Sequence, residues 1–174
     1  NKDLIKQIVQ PVSSWMFEYA AEEVKLDKEV MIAGAKADVA NNWGASVLEY
    51  CSEKLKSDRE IVLHAISKNP YSLFHYASDE LKSDTGMVLT AIKKNGMTLK
   101  YASSKFRNNR TFALAAIKED DFPYNFIGSI LINDLQFVLD AIEINGQVLN
   151  NIRSPFCYDY RVVWKTLVKT KFTF

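Results

Sequence analysis

His64 and His75 are the only two imidazoles in the chain, and neither stands where chemistry would need it. A general base needs a nucleophile or acid in reach, and a metal site needs further His, Cys or carboxylate ligands at set spacings. No H-E-x-x-H, G-x-S-x-G, G-x-G-x-x-G or G-x-x-x-x-G-K-[ST] occurs, so zinc-protease, hydrolase-elbow and phosphate-cradle chemistries have no motif to stand on. The acidic pairs Glu22-Glu23, Asp79-Glu80 and Asp120-Asp121 are adjacent in sequence and point apart on a helix, which suits solvated charges rather than an acid/base couple. Cys51 and Cys157 are far apart, and neither has a second Cys or His at ligand spacing. They read as reduced thiols, Cys51 as a small apolar filler, in a cytoplasmic protein. No catalytic residue, metal or cofactor is expected, so the reading is of a chain that is not an enzyme.

What remains is binding, and the elements that would present it come from an internal repeat. An acidic or amide residue opens each unit: Asp3, Asp27, Asp58, Asp84, Asn109, Asp134 and Asp159. The steps between them are 27−3 = 24, 58−27 = 31, 84−58 = 26, 109−84 = 25, 134−109 = 25 and 159−134 = 25. Tyr19, Tyr50, Tyr76, Tyr101 and Phe126 each stand 8 residues before the next opener, as in 84−76, and Asn151 keeps the spacing without the ring. The units are therefore 3–26, 27–57, 58–83, 84–108, 109–133, 134–158 and a partial 159–174, with an insertion near 36–45 in the second. Together they form one domain, read as a segment of a longer protein.

Each unit reads as a helix pair. Apolar residues at the fourth, fifth and eighth positions after the opener recur with helical spacing (Val62, Leu63, Ile66; Val88, Leu89, Ile92; Val138, Leu139, Ile142). The opener suits an N-cap or first-turn acid, and Ser57–Glu60 has the form of a capping box. Asn69-Pro70, Asn95-Gly96 and Asn145-Gly146 end the first helix, since Asn and Gly tolerate the left-handed conformation and Pro cannot continue a helix. A second helix carries residues 46–55, 72–81 and 98–106. The repeated tyrosines, each beside a small residue, read as core or inter-repeat packing, and Trp164, at the Leu63/Leu89/Leu139 position, as core. Two short helices cannot bury an apolar stripe alone, so the units must stack: an all-α fold, an α-solenoid of tandem short helix pairs.

The pattern D-x-E-[IV]-V-L-x-A-[IV]-x-x-N-[GP]-x-x-L-x-Y-A-S-x-x-L, best seen at 58–83 and 84–108, resembles the repeat of a domain-of-unknown-function family. Such repeats of about 25 residues occur in tandem in proteins of amoebae and other protists and in Legionella-type bacterial effectors. The resemblance covers most of the chain, implies the helical-repeat architecture and implies no catalytic residues.

With 48 % hydrophobic and 25 % charged residues the chain is ordinary globular material. A net charge of +1, from 22 basic and 21 acidic residues, gives no general pull toward nucleic acid, and no apolar run is long enough for a membrane span. A protein partner is the expectation, bound by an interaction scaffold acting in the cytoplasm, or in a host cytosol if the parent is a secreted effector. The alternative is a structural or regulatory segment of a larger enzyme whose catalytic domain lies elsewhere. The expected docking residues are His64, Lys68, Lys93 and Lys94, on the helix face opposite the core, with His75 from a second helix and Trp43 from the insertion. The apolar, uncapped character of residues 162–174 favours a continuing chain or a docked neighbour there.

Overall fold

The fold was taken from a computed structural model, which describes residues 14–37, 46–118, 120–153 and 155–171. Trp43 and most of the insertion lie outside them. The described residues hold helices and no strand, as the all-α expectation requires. Among them no helix is long and apolar enough to cross a membrane.

Every described opener does what its position predicts. Asp58 Oδ1 accepts from the N–H of Glu60 and Ile61, and Asp134 Oδ1 from Gln136 and Phe137. Asp27, Asp84, Asn109 and Asp159 accept in the same way from residues two or three further on. These bonds satisfy donors that a helix start leaves orphaned. They launch six leading helices: α1 (Lys28–Ala37), α2 (Arg59–Lys68), α3 (Thr85–Lys94), α4 (Arg110–Ala116), α5 (Leu135–Ile144) and α6 (Tyr160–Lys171). The capping box at Ser57 does not form. Asp58 itself is the cap, and Ser57 Oγ donates instead to the carbonyl of Glu53, 3.3 Å away, closing the preceding helix.

The rest of a repeat is not one second helix but two short ones, and in 134–158 only the first of them, Gly146–Asn151, forms among the described residues. Ser72–Tyr76 and Asp79–Lys82 are separated by Ala77 and Ser78, both extended. Gly96–Tyr101 and Ser104–Arg107, and Phe122–Phe126 and Ser129–Ile132, repeat the break. The small residue after the aromatic is where the chain turns, and the residue after it bonds to the neighbouring repeat. Ser78 N–H donates to the Lys56 carbonyl at 3.1 Å, and Gly128 N–H to that of Arg107 at 2.8 Å. A continuous helix would spend these donors internally.

The chain divides into two compact units, Asn1–Lys94 and Asn95–Phe174. In the first, α1 packs on α2 and α2 on α3, while Val47–Tyr50 packs on Ser72–Tyr76. In the second, α4 packs on α5 and α5 on α6, and Gly96–Tyr101, Phe122–Phe126 and Gly146–Asn151 stack in turn. Within each unit, successive copies thus pack neighbour on neighbour. The buried positions of a leading helix are the third, fourth, seventh and eighth after the opener: Ile61, Val62, Ala65 and Ile66 in α2, and Phe137, Val138, Ala141 and Ile142 in α5. Each large aliphatic removed from water here contributes about 1.5–3 kcal/mol. The fifth position is not core: Leu89 and Leu139 are half-buried, and Leu63 and Trp164 are exposed.

The Asn that ends a leading helix is extended, not left-handed: φ is −135° at Asn69 and −142° at Asn145. Its side chain opens the next turn. Asn69, Asn95 and Asn145 Oδ1 accept from the N–H of Tyr71, Met97 and Gln147 at 3.1, 2.9 and 3.0 Å. Asn145 Nδ2 also donates to the Ile117 carbonyl of the preceding repeat, 3.1 Å away. Gly96 is required for close approach rather than for a positive φ. A Cβ there would lie 1.9 Å from the Ala116 carbonyl oxygen of the next repeat. Gly96→Ala is expected to cost about 2 kcal/mol or more, because backbone atoms must part, as read by urea denaturation.

Candidate functional site

Two sets of polar side chains recur with the repeat, and only one of them was expected. The unexpected set crosses the joint between repeats. Lys28 Nζ lies 2.7 Å from Asp58 Oδ2 and 3.1 Å from Glu60 Oε2, and Arg59 Nη1 lies 2.8 Å from Asp84 Oδ2. Arg110 pairs with Asp140, and Lys165 and Lys169 lie 3.2 and 3.5 Å from Glu143. At Lys28, Arg59 and Arg110 the residue after an opener thus reaches forward to an acid at the next leading helix, whereas Lys165 and Lys169 reach back to the preceding one. A base directly after Asp27, Asp58 and Asn109 was the sequence signal for it.

These pairs move the carboxyls. Arg59, and then the Met87 N–H, hold Asp84 below the usual range. Burial pushes Asp58 up, but Lys28 and the N–H groups of Ile61 and Glu60 outweigh it and leave it lowered. Lys165 and Lys169 lower Glu143. At Asp159 the Arg161 guanidinium and backbone N–H bring the value to about 2.

The expected set sits at the carboxyl ends of α2 and α3. His64 and Lys68 are half-buried on α2, and Lys93 and Lys94 are exposed on α3. Lys94 Nζ donates to the Ser67 carbonyl at 3.2 Å, and Ser67 Oγ donates to the His64 carbonyl at 2.6 Å. The packing of α2 on α3 thus sets Lys94 against the last turn of α2, which ends in Lys68, while His64 lies at the middle of that helix. Cations there also oppose the negative end of the helix dipole. His75 is exposed on another element, Ser72–Tyr76, its ring 6.0 Å from that of Tyr76.

The tyrosine row lies at the surface seam between repeats, not in the core. Tyr50, Tyr76 and Phe126 are half-buried, and Tyr19 and Tyr101 are exposed. Tyr76 Oη donates to Glu49 Oε2 of the preceding repeat at 3.3 Å. In the second unit Lys100 Nζ stands 5.6 Å from the Tyr101 ring and 5.8 Å from that of Phe126, within cation–π reach. Where the row loses its ring, Asn151 Oδ1 accepts from Asn125 at 2.9 Å and its amide donates to Asp121 at 2.7 Å. Beside them is a cleft of about 310 Å³, bounded by Tyr124, Ile127, Ile132 and Arg153. Alternation of apolar and polar positions hid this row, because these short helices bury residues two or three before the ring instead.

Among the described residues no group of three or more His, Cys, Asp or Glu could hold a metal ion. Cys51 and Cys157 are free thiols. Burial pushes Cys51 up to about 12. At pH 8 the native protein should alkylate at the half-exposed Cys157 and leave Cys51 unmodified until denatured, as intact-mass measurement would read.

The ionic joints predict an acid limit. The folded pKa of Asp58, Asp84 and Asp159 lies below the unfolded value of 3.8, so their stabilisation is complete above that value and is lost as pH falls through the folded values. The urea midpoint should hold from about pH 7 to 5 and fall steeply below about pH 4. A lower midpoint at pH 7 than at pH 4 would contradict the role of these pairs.

Four overlapping stretches, residues 39–82, 72–107, 84–132 and 109–157, match the profile of one protein family, the domain of unknown function DUF4116. Neither the curated proteins nor the solved structures give a match.

Proposed function

Because the chain belongs to the DUF4116 family of domains of unknown function, with tandem matches through residues 39–157, we propose that it is a non-enzymatic interaction module that docks a protein segment on its repeated surface. Arrays of stacked helical repeats commonly serve this purpose, and the inference from architecture is one of analogy. The docking face is the carboxyl ends of α2 and α3, with Lys68, Lys93, Lys94 and His64; His75, on a separate element, and Trp43, outside the described residues, are the further expected contacts. The partner segment is acidic.

One observation carries this reading. The acids at the starts of these helices, Asp58, Glu60 and Asp84, are engaged by Lys28 and Arg59 across the joints. Among the described residues Lys68 and Lys93 meet no carboxylate, which leaves their charge for a ligand. Charge of one sign on a surface steers an opposite partner and sets register more than it adds raw affinity. The resemblance to repeats of protist and Legionella-type proteins supports a parent that acts on a host protein in a host cytosol. A second reading, a structural segment of a larger enzyme, is supported by the exposed apolar residues of α6.

The test is quantitative capture from amoebal or mammalian lysate with the wild-type chain and with Lys68→Glu/Lys93→Glu as baits. A captured protein should drop by about tenfold or more with the variant, equivalent to about 1.4 kcal/mol. Polyglutamate should compete, and the melting temperature should stay the same. Equal capture by both baits would remove this face from the proposal. Lys94→Glu is a poorer variant, because it also removes the bond to Ser67.

A further inference from the structure

The last leading helix breaks the burial rule of the other five. In the repeats led by α1 to α5 the fourth and eighth residues after the opener are buried without exception: Met31 and Ala35, Val62 and Ile66, Val88 and Ile92, Ala113 and Ile117, Val138 and Ile142. In α6 the third and seventh, Val162 and Thr166, remain buried. The fourth and eighth, Val163 and Leu167, are 38 % and 50 % exposed, flanked by Tyr160 at 78 %, Trp164 at 69 % and Val168 at 42 %. The third and seventh positions therefore stay covered with α5 alone as the neighbouring leading helix, whereas the fourth and eighth need a helix on the other side.

The ionic half of the joint is altered at the same place. Lys28, Arg59 and Arg110 each reach forward to an acid of the next leading helix. Here Tyr160 takes the place of those bases, and the cation stands one residue later: Arg161 bonds its own opener, with Nε 3.0 Å and Nη2 2.7 Å from the two Asp159 oxygens. The described charged side chains of α6, Arg161, Lys165 and Lys169, are all cationic, so two copies of this helix face to face would repel.

We infer that the exposed face of α6 is a stacking joint that receives the acid-opened leading helix of a further repeat of the same class. That helix would lay its third- and seventh-position apolar side chains over Tyr160, Val163, Trp164 and Val168 and offer its opening Asp to Arg161. This site is separate from the basic ends of α2 and α3 and stands whether or not they bind a partner.

The joint is tested by extending the chain with a flexible Gly/Ser linker of about 20 residues and a second copy of residues 57–84. Such a tether holds the copy at roughly millimolar effective concentration. The control carries Ile61→Lys and Ala65→Lys in the copy alone. Amide hydrogen exchange across Tyr160–Lys171 should be slowed about tenfold or more relative to the control. Asp58→Lys in the copy should return part of that protection to solvent, and Arg161→Glu in the parent helix should recover it. Equal exchange in the two extended proteins overturns the inference. So does a dimer of the unextended chain, seen by light scattering and abolished by Val163→Lys, which would make a second copy the occupant. Co-sedimentation with anionic vesicles that Val163→Lys abolishes would make it a bilayer and overturn it equally.

Discussion

The leading helix of each repeat carries two apolar faces, and its own repeat has at most two short helices of four to six residues with which to cover them. Everything else follows from that shortage. One face, at the third and seventh positions after the opener, and the other, at the fourth and eighth, share the same short helix, so the buried arc spans more than a third of its circumference. A helix of about ten residues is marginal by itself in water. It becomes stable because neighbouring leading helices bury its two faces. The same requirement explains why the polar groups at the joint are so consistent. Lys28 with Asp58, Arg59 with Asp84 and Arg110 with Asp140 fix the register in which the apolar faces meet.

Exposed ion pairs contribute little to stability individually. Their use here is directional. Each places a base from one repeat beside an acid of the next leading helix, so a slip by one residue would separate the charges as well as the apolar contacts. The Asn that ends a leading helix acts in the same sense. At Asn145 one side chain opens the following 3-10 turn through Oδ1 and holds the preceding repeat through Nδ2. Gly96 then admits the backbone of the next repeat to a distance no side chain would allow. The cap is common to Asn69, Asn95 and Asn145, while the tie is seen at Asn145 and the close approach at Gly96.

The functional reading depends on which charges this joint engages and which it leaves. Acids near the helix starts are taken up between repeats, while lysines at the ends of α2 and α3 face outward. The half-exposed tyrosines are a second consequence of the same geometry. Leu73 and Leu99 enter the core, and the ring that ends each of these short helices falls at the seam.

The sequence alone determined the repeat, its register and its helical character, because spacing of 25 residues and apolar periodicity are properties of the chain itself. It placed the openers as caps, since an Asp before a helix has one local use. It placed the cationic ends of α2 and α3 for the same reason, by counting from the opener. It did not determine which side of the fifth position faced inward, and so put Trp164 in the core. Nor did it reveal the break after Tyr76 and Tyr101, since Ala and Ser sit as comfortably in a helix as in an extended step. Tertiary structure decided both. A fifth-position side chain is buried only if a neighbour's helix lies over it, and the break appears because Ser78 and Gly128 give their N–H groups to the adjacent repeat instead of to a helix of their own.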